Sequence, residues 1–238
     1  MTMLRVCAVA VLASASLVCS SAGAATTIKF PDPGFESPVV QKGSFTYYSG
    51  GETVDNVWAV GGNGATLFNR YYAYDGVTYN PQSGNQFIDL AGPSVNVSPG
   101  SVSYTLTAVP NVDYHYSFYL GNAPSNTDGA TVNVWTIING FTPAFALPVT
   151  NSNVTEGGIN WQEVTGSFDF GPGDISDAPS TTVELLFVNG TPGGGFVGLD
   201  SFSVPEPSTW AMLLMGLFGL GPVLRHARGK RLGIVASV

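Results

Sequence analysis

Cysteine is all but missing from this chain. Cys7 and Cys19 are its two thiols, and both fall before residue 20. Everything downstream therefore lacks disulfides, thiolate metal sites and cysteine nucleophiles. Bases are nearly as scarce. Between residues 25 and 204 stand Lys29, Lys42 and Arg70 against 15 acids, a net charge of −12. A segment so acidic has no electrostatic footprint for nucleic acid, which is not expected as a partner. Its one histidine, His115, has no G-x-S-x-G turn to work with, so the ordinary makings of a Ser-His-Asp hydrolase are absent. His115 reads instead as a strand histidine on a polar sheet face. No long stretch of this segment repeats its apolar residues with a 3.6 period, which argues against a helical core.

Both ends of the chain differ from this middle. Residues 1–24 carry Arg5, an apolar run from Val6 to Val18, and Ala22-Gly23-Ala24, the layout of a cleaved signal peptide. Cleavage after Ala24 makes Ala25 the first mature residue and removes both cysteines. Cys19 follows Val18, with Ser16 three places before it. A lipoprotein site needs a small residue and a leucine there, which argues against lipid attachment. An exported domain without disulfides must stand on its core or on a bound ion.

The C-terminal end reads Val204-Pro205-Glu206-Pro207-Ser208-Thr209-Trp210, then an uncharged apolar run to Leu224, then Arg225-His226-Ala227-Arg228-Gly229-Lys230-Arg231. Residues 210–224 fall short of the ~20 that cross a full bilayer core. The run has no polar face, as a packed core helix would have. Trp210 suits the interface, and Arg225, Arg228, Lys230 and Arg231 form a positive stop. Gly216, Gly219, Gly221 and Pro222 weaken the helix, which suits a transient anchor. This order of Pro205, Glu206 and Pro207, an apolar helix and a basic cluster resembles the PEP-CTERM sorting signal of Gram-negative bacteria. The resemblance implies export, a pause at the inner membrane, and cutting near Pro205–Pro207 by an exosortase-type membrane protease. Delivery to the cell surface or extracellular matrix follows. Residues 232–238 extend past the point where such proteins usually end.

The span 25–204 is long enough for one sizeable core and is expected to be one domain. Val102, Tyr104, Leu106 and Ala108 alternate with Ser101, Ser103, Thr105 and Thr107. Tyr114, Tyr116, Phe118 and Leu120 repeat the period of two, as do Val183, Leu185 and Phe187. Val132 and Val134 oppose Trp135 and Ile137, and shorter strands are expected at Phe168–Phe170 and 199–204. Gly- and Pro-rich turns separate them. The pattern predicts an all-β, antiparallel sandwich or barrel.

Several segments also resemble the galactose-binding-like jelly rolls, in the right order. They are Pro33-Gly34-Phe35-Glu36, Trp58, Ser83-Gly84-Asn85-Gln86-Phe87-Ile88-Asp89-Leu90, the pair 101–106 and 114–120, Trp161-Gln162-Glu163-Val164, and 197–204. The likeness implies an antiparallel jelly-roll β-sandwich of the carbohydrate-binding-module kind. It further implies that Glu36 and Asp200 share a structural Ca²⁺ with backbone carbonyls, a hard-oxygen site. Asp169, Asp174 and Asp177 do not fit a Ca²⁺ loop and are expected to cap turns.

Sugar binding calls for aromatic rings beside amides and carboxylates. Tyr71, Tyr72, Tyr74 and Tyr79 lie next to Arg70, Asp75 and Asn80, and Trp135 has Asn133 on its own face. Arg70, Tyr72, Tyr74 and Trp135 are the candidate ligand-binding residues, although a tryptophan is commonly core. Three functions stay open: a surface or matrix protein that binds exopolysaccharide, a purely structural matrix or adhesion protein, and an exported glycan-active enzyme. Glu36, Glu52, Glu156, Glu163 and Glu184 could pair in space for the last. Nothing in their spacing favours it.

Overall fold

The alternating segments become the middles of two sheets. The computed structural model describes residues 26–92, 99–109, 111–140, 146–169 and 181–203. In chain order the strands are β1 (Thr26–Thr27), β2 (Phe45–Tyr48), β3 (Thr53–Val54), β4 (Trp58–Gly62) and β5 (Ala65–Asn69). There follow β6 (Ala73–Tyr74), β7 (Val77–Thr78), β8 (Gln86–Asp89), β9 (Gly100–Ala108) and β10 (Tyr114–Asn122). The last five are β11 (Ala130–Ile138), β12 (Leu147–Asn151), β13 (Asn160–Phe168), β14 (Thr181–Asn189) and β15 (Gly198–Ser203).

One sheet places β10 between β13 and β15, then continues through β8 and β5 to β2. β1 joins the start of β10 and makes the one parallel strand pairing among the described residues. The other sheet runs β12-β11-β14-β9-β4-β3, all antiparallel. β6 and β7 form a separate hairpin. The chain is thus an antiparallel β-sandwich, as its pattern predicts, of the jelly-roll kind that the resemblance implies. The signal peptide, residues 205–207, the 210–224 segment, its basic stop and the 232–238 tail lie outside the described residues. Among the described residues no helix is long and apolar enough to cross a membrane.

Between the sheets the inward residues of both are buried: Val102 on β9, Tyr116, Phe118 and Leu120 on β10, Val132 and Val134 on β11, and Val183, Leu185 and Phe187 on β14. Each such side chain contributes roughly 1.5–3 kcal/mol of burial. Trp58 anchors this core. Its ring lies 4.7 Å from Phe202 and 5.5 Å from Phe30, and its indole N–H donates to the carbonyl of Asp32 at 3.1 Å.

A second, smaller core covers the outer face of the first sheet. Along β5 and β8 neighbouring residues point to opposite faces. Leu67 and Ile88 enter the main core, while Phe68 and Phe87 join Ala123, Ile159 and Phe196 outside it. All four residues of β8 are buried for that reason.

The two ends of the domain meet. Thr26 pairs with Tyr114, and Ser203 pairs with Ser117, three residues further along β10. The chain enters and leaves the sandwich at one end. Asn122, at the other end of β10, marks the far pole.

Candidate functional site

The opening Pro-Gly-Phe-Glu turn and the last strand converge. A cavity of about 430 Å³ is lined by Asp32, Gly34, Glu36, Gly84, Ser201 and Ser203, among others. A Cβ placed on Gly34 would lie 3.8 Å from Asp200 Oδ1 and 3.9 Å from Glu36 Oε1. The two residues paired by the sequence are therefore neighbours in space, 164 positions apart in the chain.

Backbone amides hold both carboxylates. Glu36 Oε1 accepts from the N–H of Asn85 at 2.7 Å and of Gln86 at 3.2 Å. Asp200 Oδ2 accepts from the N–H of Gln82 at 2.8 Å and of Ser83 at 3.1 Å, and its Oδ1 from that of Ser201 at 2.6 Å. Asp32 in turn accepts from the N–H of Glu36 and of Ser37. Asp200 is fully buried. Burial pushes its carboxyl up to about 7, against the downward pull of these backbone hydrogen bonds. Burial also raises Asp32 above its ordinary value.

Backbone strain marks the same place. Phe35 has φ 53° and Ser201 has φ 51°, each the sequence neighbour of one carboxylate. A bulky side chain in the left-handed region is uncommon and costs of order 1–3 kcal/mol. At Ser201 the strain comes with a bulge, where the pairing steps from Tyr119↔Asp200 to Ser117↔Ser203.

The donors here are hard oxygens, and no described lysine or arginine pairs with them; the single ion-pair geometry among the described residues is His115–Asp113 at 3.0 Å. That chemistry suits a divalent cation such as Ca²⁺. No three acidic, histidine or cysteine side chains among the described residues converge as ligands. A cation here would take Glu36 and Asp200 together with main-chain carbonyls.

The aromatic candidates separate. Trp58 is core. Trp161 is half-buried, edge-on to Phe87 at 5.4 Å, with its N–H donated to the carbonyl of Asn80. Tyr72 and Tyr79, expected to be exposed, pack on Phe68 at 4.9 and 5.2 Å and hold the β6–β7 hairpin onto the second core. Tyr71 and Tyr74 do face solvent. Arg70 is half-buried and donates to the hydroxyl of Tyr71 at 2.6 Å.

Trp135 differs from all of these. It points away from the core, half-buried, and makes no ring contact among the described residues. The register places Leu186, Ser103 and Ala59 beside it in one row across four strands. Asn133 stands two residues along its own strand, and Glu184, paired with Ile137, flanks it on the same face.

Residues 203–228 match the PEP-CTERM protein-sorting motif. The chain carries a PEP-CTERM sorting signal. The signal implies export, transit with the C-terminus anchored in a membrane, and handling by an exosortase. Among solved structures, a cyclase from Fischerella sp. TAU is similar at TM-score 0.52 and 14% identity, over 75% of this chain and 96% of that one. The CBM22-1 xylan-binding domain of Paenibacillus barcinonensis Xyn10C is similar at TM-score 0.42 and 15% identity, over 69% and 96%. At such identities the likeness is one of fold alone. No curated protein matches the chain.

Sequence reasoning passed over three participants. Asp32 lines the cavity and carries no motif beyond its place before Pro33. Lys42 lies 4.3 Å from the ring centre of Tyr71 although the two are 29 positions apart in the chain. Leu186 joins Trp135 only through strand register. None of these pairings has a local signal; each depends on how distant strands align.

Proposed function

We propose that this is an exported surface or extracellular-matrix protein whose sandwich binds a polysaccharide on the open face of the six-stranded sheet, around Trp135. The observation that carries the reading is Trp135 itself, a large ring that points outward and is only partly buried, on a sheet whose other tryptophan among the described residues, Trp58, is core. Such a ring offers an apolar face with a polar edge, which suits the C–H face of a pyranose. Asn133 and Glu184 stand near it to bond hydroxyls, and Ala59 and Gly61 keep the neighbouring rows low.

The same face argues for binding rather than hydrolysis. Glycoside cleavage needs two carboxyl groups about 5–9.5 Å apart. Along β9, β11 and β14, the outward residues include one acid, Glu184. On this reading the protein is not an enzyme, and exopolysaccharide is the partner that its destination supplies.

Glu36 and Asp200 would hold a structural Ca²⁺ in this scheme. The ion would neutralise a buried carboxylate and tie the opening turn to the last strand, leaving the sugar face untouched.

Affinity measured on a glycan array with the full chain tests the reading. Trp135→Ala should weaken the best ligand by about tenfold or more, as loss of a central aromatic anchor does. Retained affinity in Trp135→Ala, or no glycan bound by the native chain, would move the function to a purely structural one.

A further inference from the structure

Four of the seven large apolar side chains exposed among the described residues sit on two adjacent loops. They are Val39, 87% exposed, Tyr74, 66% exposed, and Phe45 and Tyr71 at 48% each. These loops, 38–45 and 69–79, also hold Lys42 and Arg70, two of the three bases between residues 25 and 204, against one acid, Asp75.

The loops are built into one surface. Asn69, buried, accepts from the N–H of Gly43 at 3.2 Å and of Tyr71 at 3.3 Å, and donates to the carbonyl of Val40 at 3.3 Å. Both cations then settle on the ring of Tyr71, Lys42 at 4.3 Å and Arg70 at 4.7 Å from its centre. Neither pairs with a carboxylate among the described residues. The Nε of Arg70 is buried without a hydrogen-bond partner. In a domain of net charge −12, unpaired cations gathered among exposed rings call for a partner of opposite sign.

The position of this surface says which partner. Arg70 donates its backbone N–H to Asn85, and the N–H groups of Gln82 and Ser83 reach Asp200 on β15. The patch lies two strands from the end of β15, about 10 Å at the usual strand spacing. Ser203 closes β15, and the apolar segment opens at Trp210, seven residues later. Seven residues span at most about 25 Å. Whenever the tail is inserted, this end of the sandwich is within reach of the bilayer, at high effective concentration.

We propose that the Val39–Phe45 loop and the Arg70-Tyr71 turn dock on an anionic phospholipid surface while the tail is anchored. Tyr71, Phe45 and Val39 enter the headgroup level, where aromatic and amphipathic groups are favoured. Lys42 and Arg70 meet lipid phosphates. The acidic remainder of the domain is repelled, so the far pole near Asn122 points away. The inference rests on the sorting tail and is independent of sugar binding at Trp135.

The test uses the full chain with Cys7 and Cys19 replaced by Ser, so that one introduced cysteine can carry a fluorophore. Val39→Cys reports the patch, and Ser125→Cys reports the far pole. The chain is reconstituted into vesicles of phosphatidylethanolamine and phosphatidylglycerol, or of phosphatidylcholine alone, each with a lipid-borne quencher. Quenching at Val39 but not at Ser125, confined to the anionic vesicles, is the expected result. Neutralising Lys42→Gln or Arg70→Gln should each reduce the docked-to-free ratio by about fivefold, the usual worth of one base near such a surface. Equal quenching at both positions, none at Val39, or indifference to either substitution would overturn the proposal. So would unchanged quenching in variants that lose retention on a polyuronate resin, since the patch would then be a polysaccharide site. Flotation with the vesicles reads the anchor separately from docking, and a chain that does not float overturns both.

Discussion

Asp89 gives the sharpest test of the packing. It ends β8, 6% exposed, and its Oδ1 accepts from the N–H of Ala91 at 3.0 Å and of Val197 at 2.9 Å. No cation accompanies it among the described residues. Burial pushes its carboxyl from 3.8 up to about 7, against the backbone hydrogen bonds. The folded pKa is raised above the unfolded one, so the folded state binds more protons between about pH 4 and 7. Asp89 therefore contributes its full stability below about pH 4 and loses it as pH rises through about 7.

Each pH unit in that window is worth about 1.4 kcal/mol. From pH 5 to pH 7 the carboxyl should cost about 2 kcal/mol, because it is half titrated at the upper end, and for a domain of this size that is roughly 4–8 °C in Tm. Asp89→Asn keeps an acceptor for both amides and removes the titration. Thermal melts followed by circular dichroism from pH 5 to 8 should show a flatter curve for the variant. The two proteins should be closest at the acid end of the range, and the gap should widen as pH rises, with the variant higher at pH 8. Asp200 titrates in both, so its share drops out of the difference. Parallel curves would refute the argument, because they would mean that Asp89 is solvated or ion-paired in solution.

Other consequences follow from the same geometry. Excess Ca²⁺ should raise Tm relative to a chelator, and Glu36→Gln or Asp200→Asn should abolish the difference; an identical Tm in Ca²⁺ and chelator counts against the ion. Gly84→Ala should destabilise the domain by about 1–3 kcal/mol in denaturant melts, because Gly84 has φ 65° and a Cβ there would sit 2.1 Å from Glu36 Oε1. Trp58→Ala should cost about 3–5 kcal/mol as a core cavity, while Trp135→Ala should leave the urea midpoint nearly unchanged. That contrast separates the core tryptophan from the surface one, and equal losses would place Trp135 in the core.

The sandwich was legible because its long strands are buried on one face. β9, β10, β11 and β14 alternate apolar and polar residues, and alternation is the direct print of one dry side. β8 showed none because both of its faces are covered. The tyrosine-rich stretch misled in the same way. Tyr72 and Tyr79 look like an exposed cluster in sequence, but Phe68 and Phe87 on neighbouring strands give them a second core to cover, and no local pattern announces a second core. Glu36 and Asp200 were brought together by resemblance, and the structure adds what a sequence cannot hold: the amides of residues 82–86 and the two left-handed residues that aim the carboxylates.

Sheet register, rather than composition, assigns the work of each surface. Pairing Thr26 with Tyr114 and Ser203 with Ser117 puts both exits of the domain at one pole. Lys42 and Arg70 share that pole, as does the cavity beside Ser203. The row through Trp135 lies on the outer face of the other sheet, clear of the second core that covers the first. A ligand on Trp135 and a membrane at the tail would therefore engage different surfaces, and neither need displace the other. Binding of a polysaccharide should then be unaffected by whether the chain is anchored in vesicles or held in detergent.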